Sequence, residues 1–170
     1  MNEITHTQNR PPGAPRFIDA PIESPYKGVG GWLLLFCIGL TVLTPVLSLR
    51  SLGISYFETF QYFGQYPGLL VVTIVDTVLS LSLIAFSIYV GVSLWTIRRG
   101  AVQMAKRYLV CFLGYHLVAA ALPFMAGLSA EANEGMIMPV VKDVFKAVVY
   151  VAIWYSYLNS SKRVSATYNS

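Results

Sequence analysis

The sequence predicts an all-α membrane protein, a bundle of four transmembrane helices with the N- and C-termini both cytoplasmic. Three observations predict it. Apolar residues make up 55% of the 170 residues and charged residues only 12%, about half the charged share of an ordinary soluble domain. The apolar residues gather into four runs long enough to cross a bilayer. The basic residues gather beside those runs, and alternate connections differ sharply in charge.

The net charge of +4 excludes little by itself. Its distribution beside apolar runs, with no basic stripe on a soluble face, argues for membrane orientation and against nucleic-acid binding. Cys37 and Cys111 both fall inside apolar runs and show no spacing for zinc, haem or a redox dithiol. They read as small packing residues.

Residues 1–27 carry Pro11, Pro12, Pro15, Pro21 and Pro25. Proline at this density withholds the backbone donors that helix and sheet need, so the segment is expected to be a flexible cytoplasmic tail. It does not read as a signal peptide, because the apolar run begins late and no small-residue cleavage site follows. Residues 28–168 form the expected membrane domain.

The first span is expected at Trp32–Leu49, about 18 residues, enough for the hydrocarbon layer. Trp32 suits one interface, and Pro45 is tolerable because neighbouring groups re-satisfy a freed carbonyl in a membrane helix. The stretch SLGISYFETFQYFGQYPG is too polar to span. Its Tyr56, Phe57, Phe60, Tyr62, Phe63 and Tyr66 predict a loop or short helix lying on the bilayer. An aromatic substrate-binding lip is the functional alternative. The second span, Leu69–Ile97, is about 29 residues, longer than the hydrocarbon is thick, and should tilt or project. The third is expected at Tyr108–Leu128 and the fourth at Pro139–Leu158, with Pro139 in the first helical turn.

Orientation follows from Lys and Arg. With a cytoplasmic N-terminus, that side carries Arg10, Arg16, Lys27, Arg98, Arg99, Lys106, Arg107, Lys162 and Arg163. The opposite connections carry Arg50 against Glu58, Glu131 and Glu134. Every segment obeys the positive-inside bias. The outward acids read as solvated loop residues, and the basic connections set topology, with affinity for anionic headgroups as a secondary possibility.

Two further stretches carry a family resemblance. GVGGWLLLFCIGL opens the first span, and KAVVYVAIWYSYLNSSKRVSATY closes the last. Gly30, Gly31, Trp32 and Leu33, then Trp154, Tyr157, Ser161, Lys162, Arg163, Val164, Thr167 and Tyr168, resemble the bacterial inner-membrane family catalogued as domain of unknown function 2569. The resemblance covers roughly residues 28–168. Ser156 stands where that family often has proline, which softens a kink. The resemblance implies four spans in the bacterial cytoplasmic (inner) membrane, and no activity, substrate or cofactor.

The candidate polar site is Asp76, Lys146 and His116. A charged side chain at a helix centre costs about 2.5–3.5 kcal/mol on insertion scales, so such groups seek a partner or a polar cavity. Asp76 and Lys146 lie at matching distances from the outer ends of their spans, which predicts a pair across the bundle. The resemblance adds a basic residue at the position of Lys146. Asp143 competes as a local partner for Lys146, and Lys142 can snorkel. His116, near the middle of the third span, is a candidate proton carrier, or simply a residue that hydrogen-bonds between helices. The sequence holds no Ser-x-x-Lys, His-Glu-x-x-His, phosphate loop or Gly-x-Ser-x-Gly.

The expected protein is therefore not an enzyme and takes no cofactor. Its expected partners are the lipid bilayer and a further protein or a second copy. The expected role is that of an accessory or interaction protein of the envelope. A small transporter or channel subunit using Asp76, Lys146 and His116 is the second reading.

Overall fold

The computed structural model describes residues 28–125 and 130–168, and only the backbone of residues 130–134 and 136. The proline-rich segment 1–27 and the side chains of Glu131 and Glu134 lie outside the described residues. The described chain is helical: α1 (Trp32–Tyr62), α2 (Pro67–Trp95), α3 (Ala101–Met125), α4 (Ala130–Ser160) and a short α5 (Lys162–Tyr168). Among these, α1, α2 and α3 are long and apolar enough to cross a membrane. The 31-residue α4 is as long, but Lys142, Asp143 and Lys146 dilute its apolar character.

The expectation for residues 50–62 needs correction. They form no separate surface element but continue α1, which runs 31 residues, about 46 Å at 1.5 Å per residue. The rings of Tyr56, Phe60 and Phe63 still cluster at 6.0 Å, so aromatic contact holds the hairpin tip before Pro67 starts α2. Pro67 stands in the first turn of α2, where its missing N–H is no loss.

Pro45 does not break α1, because the helix widens ahead of it. Gly39–Leu43 forms a π turn in which the Thr44 N–H reaches the Gly39 carbonyl. One step on, the Leu40 carbonyl would face the nitrogen of Pro45, which has no hydrogen to give. Ser87 of α2 supplies the missing proton: its buried hydroxyl donates to the Leu40 carbonyl at 2.7 Å. Gly91, one turn along α2, lets the π turn approach. A Cβ there would collide with the Thr41 methyl and stand 3.3 Å from Leu40 Cβ and the Thr41 nitrogen.

α3 begins at Ala101 rather than at Tyr108, and α4 at Ala130 rather than at Pro139. Pro139 is thus interior to α4. Its i−4 position is Gly135, which is exposed and has open space around it, so the lost backbone bond leaves no enclosed orphan. The α2–α3 turn ends α2 with paired reverse bonds, Arg98 N–H to Ser93 carbonyl (3.1 Å) and Ile97 N–H to Leu94 carbonyl (3.2 Å). That geometry puts Ile97 at φ 49°, a position where glycine is usual and a β-branched residue is strained.

Consecutive long helices pack as neighbours in an up-and-down order. The buried core lies at one end, here called basal. It contains Leu33, Phe36, Cys37 and Leu40 of α1, Val90 and Leu94 of α2, Ala101, Ala105, Tyr108 and Leu109 of α3, Leu158 of α4 and Val164 of α5. Cys37 fits the packing role expected of it, whereas Cys111 is exposed.

Both ends of the described chain meet at the basal end. Thr167 exchanges contacts with Gly28 (3.3 Å from its N–H, 3.4 Å to its carbonyl). The Tyr168 hydroxyl donates to the Leu94 carbonyl at 2.7 Å. Burial, with Cys37 and Tyr157 beside it, holds the Tyr168 phenol above its ordinary pKa, which keeps it a donor. Arg163 lies against Gly30, where a Cβ would stand 2.6 Å from a guanidinium nitrogen. Gly31, at φ 59°, turns the chain into α1. The opening and closing sequence motifs therefore form one latch.

Candidate functional site

Above the basal core the bundle opens into two adjoining cavities. One, about 510 Å³, lies between α1, α3 and α4. The other, about 380 Å³, lies between α1, α2 and α3. They share Ser51, Phe112, Tyr115, His116 and Tyr150. Asp76 lines the second cavity; Asp143 and Lys146 line the first. All three candidate residues, Asp76, His116 and Lys146, thus border one polar region.

The expected pair does not form. Lys146 binds Asp143 instead, at 2.8 Å and one turn away on α4. Both side chains are mostly exposed, and a local i,i+3 partner needs no second helix to be held in register. Asp76 is half-buried on α2 and accepts a hydrogen bond from the Tyr115 hydroxyl of α3 at 2.9 Å. The Ser80 hydroxyl, buried, stands 2.7 Å from the same Tyr115 oxygen. An ionised carboxylate only accepts, so Tyr115 spends its proton on Asp76 and Ser80 donates to Tyr115. The result is a directed chain, Ser80 to Tyr115 to Asp76, tying α2 to α3.

His116 follows Tyr115 but does not join that chain. Its Nδ1 lies 2.9 Å from the Phe112 carbonyl of its own helix. A carbonyl can only accept, so Nδ1 carries the proton in this contact. Among the described residues no hydrogen bond links His116 to Asp76 or Lys146, so the expected proton relay is not connected in this arrangement. Instead the imidazole is part of an aromatic wall: Phe112 lies 4.3 Å from His116 and 5.3 Å from Tyr150, and Tyr115 meets His116 edge-on at 5.2 Å.

Several participants were not singled out in the sequence. Asp76 and Ser80 are spaced i,i+4, which puts both on one helix face, and that signal was readable. Thr44, Ser48, Ser51 and Ser55 line the second cavity from α1 at the same kind of spacing. Their pattern is hidden when residues 50–62 are read as a loop. Tyr115 and Tyr150 had no such signal, since a tyrosine in an apolar helix is equally a packing residue. Among the described residues no group of His, Cys, Asp and Glu is placed to hold a metal ion.

Among the described residues, the fold and composition define a helical protein with three membrane-length apolar helices and two adjoining polar cavities off one end of its core. The chain belongs to the family described as Protein of unknown function (DUF2569), whose model matches residues 26–169. No curated protein and no solved structure matches the chain.

Proposed function

We propose that the protein is a non-enzymatic integral protein of a bacterial inner membrane that crosses four times, keeps both ends in the cytoplasm, and serves as an accessory or interaction partner in the envelope. The observation that carries this reading is the latch. Thr167 bonds Gly28, and Tyr168 bonds Leu94, so the two ends of the described stretch share a face. If α1, α2 and α3 cross, an even number of crossings requires α4 to cross as well. The exposed side of α4 supports it: Val141, Phe145, Val148, Val149 and Ile153 present apolar surface at helical spacing, while Asp143 and Lys146 turn to the cavity. The Lys and Arg partition supports a cytoplasmic latch.

The cavity favours one second reading, a small transporter or channel subunit. Proteoliposomes separate the two. The first reading expects no ion or solute flux above empty vesicles, together with recovery of one stoichiometric partner or a defined homo-oligomer on gentle extraction. Flux that is present in wild type and lost in Asp76→Asn would replace the first reading with the second.

A further inference from the structure

We propose that the adjoining cavities receive an organic ammonium ion, with Asp76 as counter-charge and the rings at the cavity junction as walls. Charge makes the first argument. Lys146 and Asp143 neutralise each other across 2.8 Å. Asp76 accepts from neutral Tyr115, and among the described residues no cationic side chain forms an ion pair with it. Asp76 is thus the acid of the lining that has no ion-pair partner among the described residues. A carboxylate at this depth is costly without a cation, and none of the described residues pairs with it as one.

The rings make the second. Phe112, Tyr115, His116 and Tyr150 form a connected aromatic surface shared by both cavities. Ring faces attract alkylammonium ions, most strongly where water is thin. The hydroxyls of Ser51 and its neighbours on α1 add acceptors suited to N–H groups. The ammonium has two sources with the same chemistry, a free amine or the ethanolamine headgroup of a lipid.

The test uses the full chain, purified in a zwitterion-free detergent, with radiolabelled benzyltrimethylammonium in equilibrium dialysis. Saturable binding is expected, weakened about tenfold or more in Asp76→Asn and largely kept in Asp76→Glu. Tyr150→Leu, which leaves the charge in place, is expected to weaken it about threefold to tenfold. Neopentylbenzene, the uncharged carbon isostere, should not displace the probe. Displacement by short-chain phosphatidylethanolamine assigns the site to the headgroup; displacement by ethanolamine alone assigns it to a free amine. Equal binding by Asp76→Asn, displacement by neopentylbenzene, or no saturable binding to folded wild type would overturn the proposal. If Asp76→Asn does not fold, the isostere competition on wild type decides. Because binding is read on purified protein, the outcome is independent of topology, partner or flux.

Discussion

Gly91→Leu is expected to abolish most of the folded protein. Gly91 is where α2 meets the π turn of α1. Any Cβ there meets the Thr41 methyl, with Leu40 Cβ and the Thr41 backbone nitrogen at 3.3 Å. Thr41 cannot easily turn away, because its hydroxyl is bonded to the Cys37 carbonyl at 2.8 Å. The helices must separate, and separation also pulls Ser87 from the Leu40 carbonyl, leaving an orphan acceptor away from water. Overpacking costs about 1–3 kcal/mol for modest additions, and an isobutyl group is not modest. Gly91→Ala should sit within that range and be partly rescued by Thr41→Ser, which removes the clashing methyl. The readout is the fraction of monodisperse protein after extraction and its thermal midpoint. A Gly91→Leu protein as stable as wild type would mean that α1 and α2 do not approach as described.

Trp154→Ala should be the next most damaging change. Trp154 is where α1 and α4 meet. Its ring stacks on Phe36 at 4.5 Å and contacts Trp32 at 6.4 Å, Tyr150 at 6.3 Å and Tyr157 at 5.9 Å. Truncating a buried tryptophan costs about 3–5 kcal/mol in soluble cores. Trp154 is only partly buried, so the low end, about 3 kcal/mol, is expected here, and lipid can fill part of the gap. Trp154→Phe should recover most of the loss. Protease resistance of the α5 latch reports the same event, since α5 follows α4 directly. An unchanged melting curve for Trp154→Ala would show that α4 is held by α3 alone.

These two positions show why the sequence disclosed the elements but not their joints. Length and apolar character sufficed to locate the cores of all four long helices. The ends were misread wherever helix continued through residues that suggest an interface or a break. Residues 50–62 looked like a loop or short helix lying on the bilayer because of their polarity and rings, and Pro139 looked like a helix start. Proline effects depend on what satisfies the carbonyl left behind: Ser87 at Leu40 in α1, and open surroundings at Gly135 in α4. The first of these compensations is not local in sequence. The two motifs behind the family resemblance were visible as strings, yet their meeting through Thr167, Gly28 and Arg163 was not, because those residues are separated by most of the chain.

The polar site was legible as a region and not as a network. Asp76, His116 and Lys146 do border one pair of cavities. Depth matching paired Asp76 with Lys146, whereas the local competitor named beside it, Asp143, takes the lysine and the neutral donor Tyr115 binds the acid. A tyrosine satisfies a carboxylate without a second buried charge, and composition gives no hint of which tyrosine will do so. Tyr115 precedes His116 on α3, and both line the same two cavities.

The central claim is that the latch and the fourth helix together return the chain to the side on which α1 began. Single cysteines at exposed Gly64, Arg99 and Lys162, in a protein with Cys37 and Cys111 replaced by alanine, test it directly. A membrane-impermeant maleimide applied to intact spheroplasts should label Gly64→Cys. It should label Arg99→Cys and Lys162→Cys only after the membrane is broken. Labelling of Lys162→Cys from the same side as Gly64→Cys would contradict the four crossings, and with them the reading of the basal end as cytoplasmic.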